Sequence, residues 1–188
     1  MGWHQRSVYA GRWCIFAYAS RRRDAHVPGN AVARRSGGRT TLPRRWNDPA
    51  RGFCSAAFFR YLYAEVGRAY RWTDRLSWSD AQVRAYLDRG DVTLHVLYLD
   101  GAPAGYFELR RHPDRSVEVA YFGLIGDYIG RGLGGWLLTQ ATRAAWAEKP
   151  ERVWLHTCTL DHPHALPNYL RRGFQVVRKE VYQVEAVS

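Results

Sequence analysis

At 188 residues, 46% apolar and with eight tryptophans, the chain has the composition of a folded domain with a real core, not of a disordered segment, and is short for two domains. No apolar run approaches the ~18 residues a membrane span needs, and three cysteines (Cys14, Cys54, Cys158) are too few and too odd a set for a disulfide framework, so a reducing cytoplasm is expected. The net charge of +11 sits at one end: residues 1–52 carry 11 Arg, no Lys and 2 Asp, whereas residues 53–188 carry 17 basic and 15 acidic side chains. That distribution argues against a nucleic-acid surface on the domain itself.

In chain order, "SVYAGRWCIFAYAS" reads as a first strand or hairpin. Its apolar stretch between Arg12 and Arg21 is only about eight residues, too short for the usual signal peptide. The Arg-, Gly- and Pro-rich run up to residue 52 lacks helical or strand periodicity and reads as a solvated extension, most of it expected outside the core. A nucleic-acid or membrane-surface tail is the alternative there. From residue 53 to 188 the pattern is that of one domain.

Phe58, Phe59, Leu62, Tyr63, Val66 and Tyr70 recur at three- and four-residue spacing and predict an amphipathic helix. Ser79 with Gln82 is a capping-box signature opening a second helix to about Asp88, with Gly90 as its stop. "DVTLHVLYLD" and residues 105–110 read as a hairpin around the turn "DGAPAG", and "VEVAYFGL" as a third strand after the turn "RHPDRS". Leu133, Trp136, Leu137, Ala141, Ala144 and Ala145 mark a helix ending before Pro150. Then follow a strand, "RVWLHTCTL", a helix over residues 163–172 and a last strand, "FQVVRKEVYQV". The order predicts a mixed α/β domain, antiparallel at first and crossover-connected afterwards. The strands beginning near Val117 and Arg152 should run parallel and part beyond Leu124.

"YFGLIGDYIGRGLGGWLL" places Gly130, Gly132, Gly134 and Gly135 between a strand and a helix. Gly130, Gly132 and Gly135 satisfy G-x-G-x-x-G, but a dinucleotide site needs this strand to open a parallel βαβαβ sheet, and here it closes a meander. No Gly-Lys-Ser/Thr ends the run, so it is not a Walker A loop. Glycines there either admit close strand–helix packing or expose amides that suit an anion at a helix N-terminus.

The stretch "GLIGDYIGRGLGGWLL" resembles motif A of the GCN5-related N-acetyltransferases, Gln/Arg-x-x-Gly-x-Gly/Ala, with Gly132 and Gly134 on its glycines and Ile129 in place of Gln or Arg. "HPHALPNYLRRGF" matches a second motif at Ala165, Tyr169, Gly173 and Phe174, with His162 standing where the family has Asn. The resemblance covers roughly residues 53–184 and implies that family's fold and direct transfer of an acetyl group from acetyl-CoA to an amine. It implies that the amides of Gly130, Arg131, Gly132, Leu133, Gly134 and Gly135 hold the pyrophosphate, with Ile129 at the position of a side-chain contact to the cofactor, that Phe122, Gly123 and Leu124 pair with the pantetheine through their main chain, and that His162 lies near the cofactor. It also implies Tyr169 as the acid that protonates the departing thiolate.

For the base, strand alternation puts Glu118, Ala120, Phe122 and Leu124 on one face, and Glu118 is the acid among them. Several family members carry a catalytic glutamate there. Apolar neighbours would raise its pKa toward a useful value; a structural pairing with Arg110 is the alternative, and Glu108 is the second candidate. "HTCTLDHPH" gathers His156, Cys158, Asp161, His162 and His164, but fits no standard zinc spacing, and Cys158 reads as a buried thiol unless His156 serves it as a base. Trp72 and Trp78 shape either a substrate pocket or the core. The acceptor is expected to be a small-molecule or peptide amine, with no membrane partner. A non-catalytic acyl-CoA-binding module, a dinucleotide-binding protein and a nucleic-acid-binding protein using the Arg-rich end are the alternatives.

Overall fold

The computed structural model describes residues 12–19, 54–70 and 72–182, residues 12–19 and 181–182 by their backbone alone apart from Ala17. Ser55 caps the first helix, α1 (Ala56–Gly67), its Oγ accepting the Phe58 amide at 3.2 Å. Ala56, Phe59, Leu62, Tyr63 and Val66 are buried along one stripe, as the spacing predicts; Tyr70 lies beyond the helix in the short 3-10 turn Arg68–Tyr70. The capping box is present at α2 (Asp80–Leu87): Ser79 Oγ accepts the Gln82 amide at 3.3 Å and the Ser79 amide donates to Gln82 Oε1 at 2.8 Å.

The meander strands are β2 (Val92–Leu99), β3 (Ala102–Arg111) and β4 (Ser116–Leu124). The first hairpin turns on Asp100 and Gly101 alone, both at positive φ (51° and 85°), so β3 begins three residues earlier than the "DGAPAG" turn implied. Helix α3 (Leu133–Ala147), strand β5 (Arg152–Cys158), helix α4 (Ala165–Leu170) and strand β6 (Phe174–Tyr182) complete the order. Helix α4 is shorter at both ends than the predicted 163–172.

Residues 12–19 form a strand, β1 (Arg12–Ala19), and it enters the sheet between β5 and β6, giving the order β2-β3-β4-β5-β1-β6. It pairs antiparallel with both neighbours, and Ala17 is fully buried. This part of the Arg-rich extension therefore belongs to the domain's sheet; the rest of residues 1–52 lies outside the described residues. The β4–β5 pairing is parallel, and the other pairings are antiparallel.

One face of the sheet packs on α3, with Phe107, Leu109, Val117, Leu137, Leu138 and Leu155 at the centre of the contact. The other face carries α1 and α2, through Phe59, Val83 and Tyr86 and through Leu62, Val66 and Tyr106. Gly105 lets β3 approach β4, and Gly123 lets α1 close on the sheet: a Cβ on Gly105 would stand 2.5 Å from the Gly123 carbonyl oxygen, and one on Gly123 would collide with Val66 Cγ1.

Two expectations about β4 are corrected. Glu108 pairs with Tyr121 while Leu109 pairs with Val119, so Ala120 is an extra residue, a β-bulge. The bulge breaks the alternation: Val119, Phe122 and Leu124 pack with the α3-side core, whereas Tyr121 packs with Leu62 and Tyr106 on the α1 side. Glu118 therefore does not share a face with Phe122 and Leu124. The bend also parts the strands early: β4–β5 pairing ends at Glu118 opposite Trp154, six residues before Leu124.

Candidate active site

Where β4 and β5 separate, a cleft of about 460 Å³ opens. Its walls are residues 119–124 of β4, the far end of β5, the glycine loop before α3, and α4. Beyond Glu118 the edge of β4 that faces β5 has no strand partner among the described residues, leaving main-chain donors and acceptors directed at the cleft. Phe122, Gly123 and Leu124 line it, as the resemblance implied.

At one end the 3-10 turn Gly126–Tyr128 leads into the loop. Gly130 and Gly132 have φ of 81° and 78°, where glycine is favoured, and Gly132 is the N-cap of α3 with no side-chain cap. The first-turn amides of α3 therefore lack intrahelical acceptors, no acidic residue occupies that turn, and Gly130, Gly132, Gly134 and Gly135 line the cleft. Such a cradle suits an anion. The Ile129 amide donates to the Gly126 carbonyl at 3.1 Å, and Ile129 lines the cleft. Two predicted members behave differently. Arg131 turns outward over the Tyr128 ring, 5.2 Å from its centroid, and the Leu133 side chain is buried in the core. Neither side chain lines the cleft, which leaves only their backbone to the cradle. Asn168 donates to the Gly134 carbonyl at 3.4 Å and Arg172 to the Gly135 carbonyl at 2.8 Å, pinning α4 against the loop.

Tyr169 lines the cleft from α4, 6% exposed, with its ring edge-on to Phe122 and Phe174 at 6.2 and 6.1 Å. Its hydroxyl has no hydrogen-bond partner among the described residues. Burial, with Asp161 and Cys158 nearby, pushes its pKa well above the usual phenol range, so it is fully protonated at neutral pH. His162 also lines the cleft, its Nδ1 accepting the His164 amide at 3.1 Å.

The opposite end is walled by Tyr70, Trp72, Asp74, Tyr121 and His156. Trp72 thus serves both pocket and core, whereas Trp78 packs against Tyr86 and Phe59. The segment bearing Trp72 and Asp74 is held by Arg75, which is buried against Tyr121, Tyr86 and Trp78 with its Cζ 4.1, 4.3 and 5.0 Å from their ring centroids. Its guanidinium grips Glu108 at 2.7 and 3.1 Å, and Tyr86 donates its hydroxyl to the same carboxylate. Glu108, the second candidate base, is fully buried in this lock and does not reach the cleft.

Glu118 is also buried, at 7% exposure, and does not line the cleft. Its Oε2 lies 2.9 Å from His112 Nε2 and its Oε1 3.4 Å from His156 Nδ1. Burial alone would raise its pKa, but the bonds from His156 and His112 prevail and lower it, opposite to the direction expected of an acid among apolar neighbours. Arg110, opposite Glu118 in register, pairs with Asp91 at 3.9 Å instead. The group presented to the cleft beside Glu118 is thus the imidazole of His156, on β5. The His156–Glu118 contact depends on the β4–β5 register, which no local sequence pattern announces.

Cys158 stands at the cleft wall, its Sγ 3.9 Å from Asp161 Oδ1. Among the described residues no three His, Cys, Asp or Glu side chains converge as a metal site, and no helix is long and apolar enough to cross a membrane.

No curated protein sequence matches the chain. Several solved acetyltransferase structures are similar to it. A GCN5-related N-acetyltransferase from Sphaerobacter thermophilus aligns at TM-score 0.59 and 15% identity over 93% of this chain and 51% of its own. An aminoglycoside acetyltransferase from an uncultured soil metagenomic sample, in complex with sisomicin, aligns at TM-score 0.56 and 12% identity over 70% and 89%. Nourseothricin acetyltransferase is 27% identical at TM-score 0.41, over 46% of this chain and 51% of its own, so the chain spans about half of that protein's length. The model of the acetyltransferase (GNAT) family matches residues 59–174, more than half of the chain, which belongs to that family.

Proposed function

We propose that the protein is an acetyl-CoA-dependent N-acetyltransferase acting on an amine that enters beside Trp72, Asp74 and His156. The observation that carries this reading is the parting of β4 from β5 directly beside the glycine-capped start of α3. The residues fit an acyl-CoA: open space surrounds a Cβ position at Gly130 and Gly132, the first-turn amides suit its pyrophosphate, and the unpaired edge of β4 suits its pantetheine amides. Acetyl-CoA would supply a thioester as acetyl donor. The Tyr169 hydroxyl donates to the leaving sulfur, and the negative charge of Glu118 favours removal of the amine proton. Asp74 and the rings of Tyr70 and Trp72 form a wall suited to a cationic acceptor.

The reading is tested by incubating the protein with labelled acetyl-CoA and a panel of amines: an aminoglycoside, a polyamine, free amino acids and a peptide with a free N-terminus. An aminoglycoside heads the panel because the similar soil acetyltransferase was solved with sisomicin. Thiol release together with an acetylated product supports the reading. CoA binding with no product from any amine would favour a non-catalytic acyl-CoA module, and NAD binding in place of CoA a dinucleotide site.

A further inference from the structure

The cleft wall presents no carboxylate of Glu118, so the proton lost by the amine needs another acceptor. We propose that His156 is the catalytic base and that Glu118, clamped between His156 and His112, is its positioning residue. The proposal rests on the acetyl-transfer reading of the cleft. His156 projects from β5 just beyond the last β4–β5 pair, and its side chain, 49% exposed, lines the cleft on the wall shared with Tyr121 and Asp74. Its Nδ1 faces Glu118 Oε1 at 3.4 Å, and an imidazole whose Nδ1–H is directed at a carboxylate carries its lone pair on Nε2. The carboxylate is 7% exposed and its second oxygen is taken by His112, so Glu118 has little freedom to swing into the cleft itself.

In the reaction the new C–N bond forms as the thioester C–S bond breaks. The proton lost by nitrogen goes to His156 Nε2. The C–S electron pair leaves with sulfur, which takes its proton from Tyr169, and solvent restores both side chains. The charged and titratable groups facing His156 are Glu118 on β4, with His112 sharing it, Asp161 in the loop after β5 and Asp74 in the segment before α2. The hydrogen bond to Glu118 outweighs desolvation and raises the imidazole pKa, and the two aspartates add to it. The neutral, basic form therefore grows only as pH rises through that raised value, and the acidic limb of the rate profile should lie above the ordinary histidine midpoint of about 6.5.

The test measures kcat/KM against pH for wild type, His156→Gln and Glu118→Gln, using the best amine of the panel and a second amine of different pKa. CoA affinity is followed by calorimetry as a check on folding. His156→Gln should lose about a hundredfold or more in kcat/KM and lose the limb, with CoA affinity unchanged. Glu118→Gln removes the charge that holds the imidazole protonated, so its limb should move to lower pH while a smaller part of the rate is lost. In wild type the limb should stay in place when the amine is changed. Ring-nitrogen NMR on wild type should show the His156 proton on Nδ1 when the ring is neutral. Wild-type rates in His156→Gln, or a limb that follows the amine's pKa in all three proteins, would overturn the proposal. Absence of transfer by wild type to every amine would remove the functional reading beneath it instead.

Discussion

Replacing Glu108 by Gln keeps the shape of the side chain and removes the charge that compensates Arg75. Glu108 is fully buried and Arg75 is 7% exposed, so water cannot take over the guanidinium. The carboxylate accepts from Arg75 Nη1 at 2.7 Å, from Nη2 at 3.1 Å and from the Tyr86 hydroxyl. Glutamine keeps one acceptor oxygen and turns an N–H₂ toward donors that have no use for it. Breaking one partner of a buried pair costs about 3–5 kcal/mol, and the rings around Arg75 temper that, so ~3 kcal/mol is expected. For a domain of this size each kcal/mol moves Tm by roughly 2–4 °C, which gives a drop of about 6–12 °C. Thermal and urea melts followed by circular dichroism measure it. The exposed Arg152–Asp114 pair is the control, because Arg152→Gln should change stability by less than about 1 kcal/mol. Because Arg75 anchors the segment bearing Trp72 and Asp74, KM for the amine should rise as well. A Glu108→Gln melt within 2 °C or so of wild type would refute the reasoning, since Tm shifts of that size correspond to less than about 1 kcal/mol.

Two further predictions concern the cleft. Tyr169→Phe removes a hydroxyl that has no partner among the described residues and keeps the ring contacts with Phe122 and Phe174, so stability and CoA affinity should hold while kcat falls about a hundredfold in steady-state assays; unchanged kcat would remove Tyr169 from the mechanism. Gly132→Val forces a β-branched residue to φ near 78° and should cost about 1–2 kcal/mol of stability by denaturant melt together with most of the CoA affinity, whereas Gly134→Ala meets only Leu124 at 3.7 Å and should fold normally. Stability of Gly132→Val equal to wild type would contradict the backbone argument.

Much of the fold was legible because it is written locally. Ser79 and Gln82 announce a capping box, the apolar spacing of residues 58–66 announces a helix, and the glycines at 130–135 announce a helix start with exposed amides. What escaped was long-range. The bulge at Ala120 is a mismatch between β3 and β4, and a strand read alone alternates as though its partner fitted. That one residue moved Glu118 off the predicted face. Strand β1 offered a strand-like composition but no clue to its place between β5 and β6, nearly the whole chain away in sequence. His156 and Glu118 are likewise 38 positions apart, and only the parallel register brings them together. The site residues read from motifs split on the same principle. Gly130, Gly132, Gly134, Gly135, Phe122, Gly123, Leu124, His162 and Tyr169 line the cleft, whereas the side chains of Arg131 and Leu133 are drawn to Tyr128 and to the core.

The central claim is that an acyl-CoA lies between β4 and β5 with its pyrophosphate at the start of α3. A backbone-amide NMR titration of the protein with acetyl-CoA, and with NAD in parallel, tests it directly. Saturable shifts concentrated at Gly130, Gly132, Gly134 and Gly135 and along residues 121–124, produced by acetyl-CoA and not by NAD, are the predicted result. Shifts produced by NAD instead, or acetyl-CoA shifts that leave those amides untouched, would contradict it.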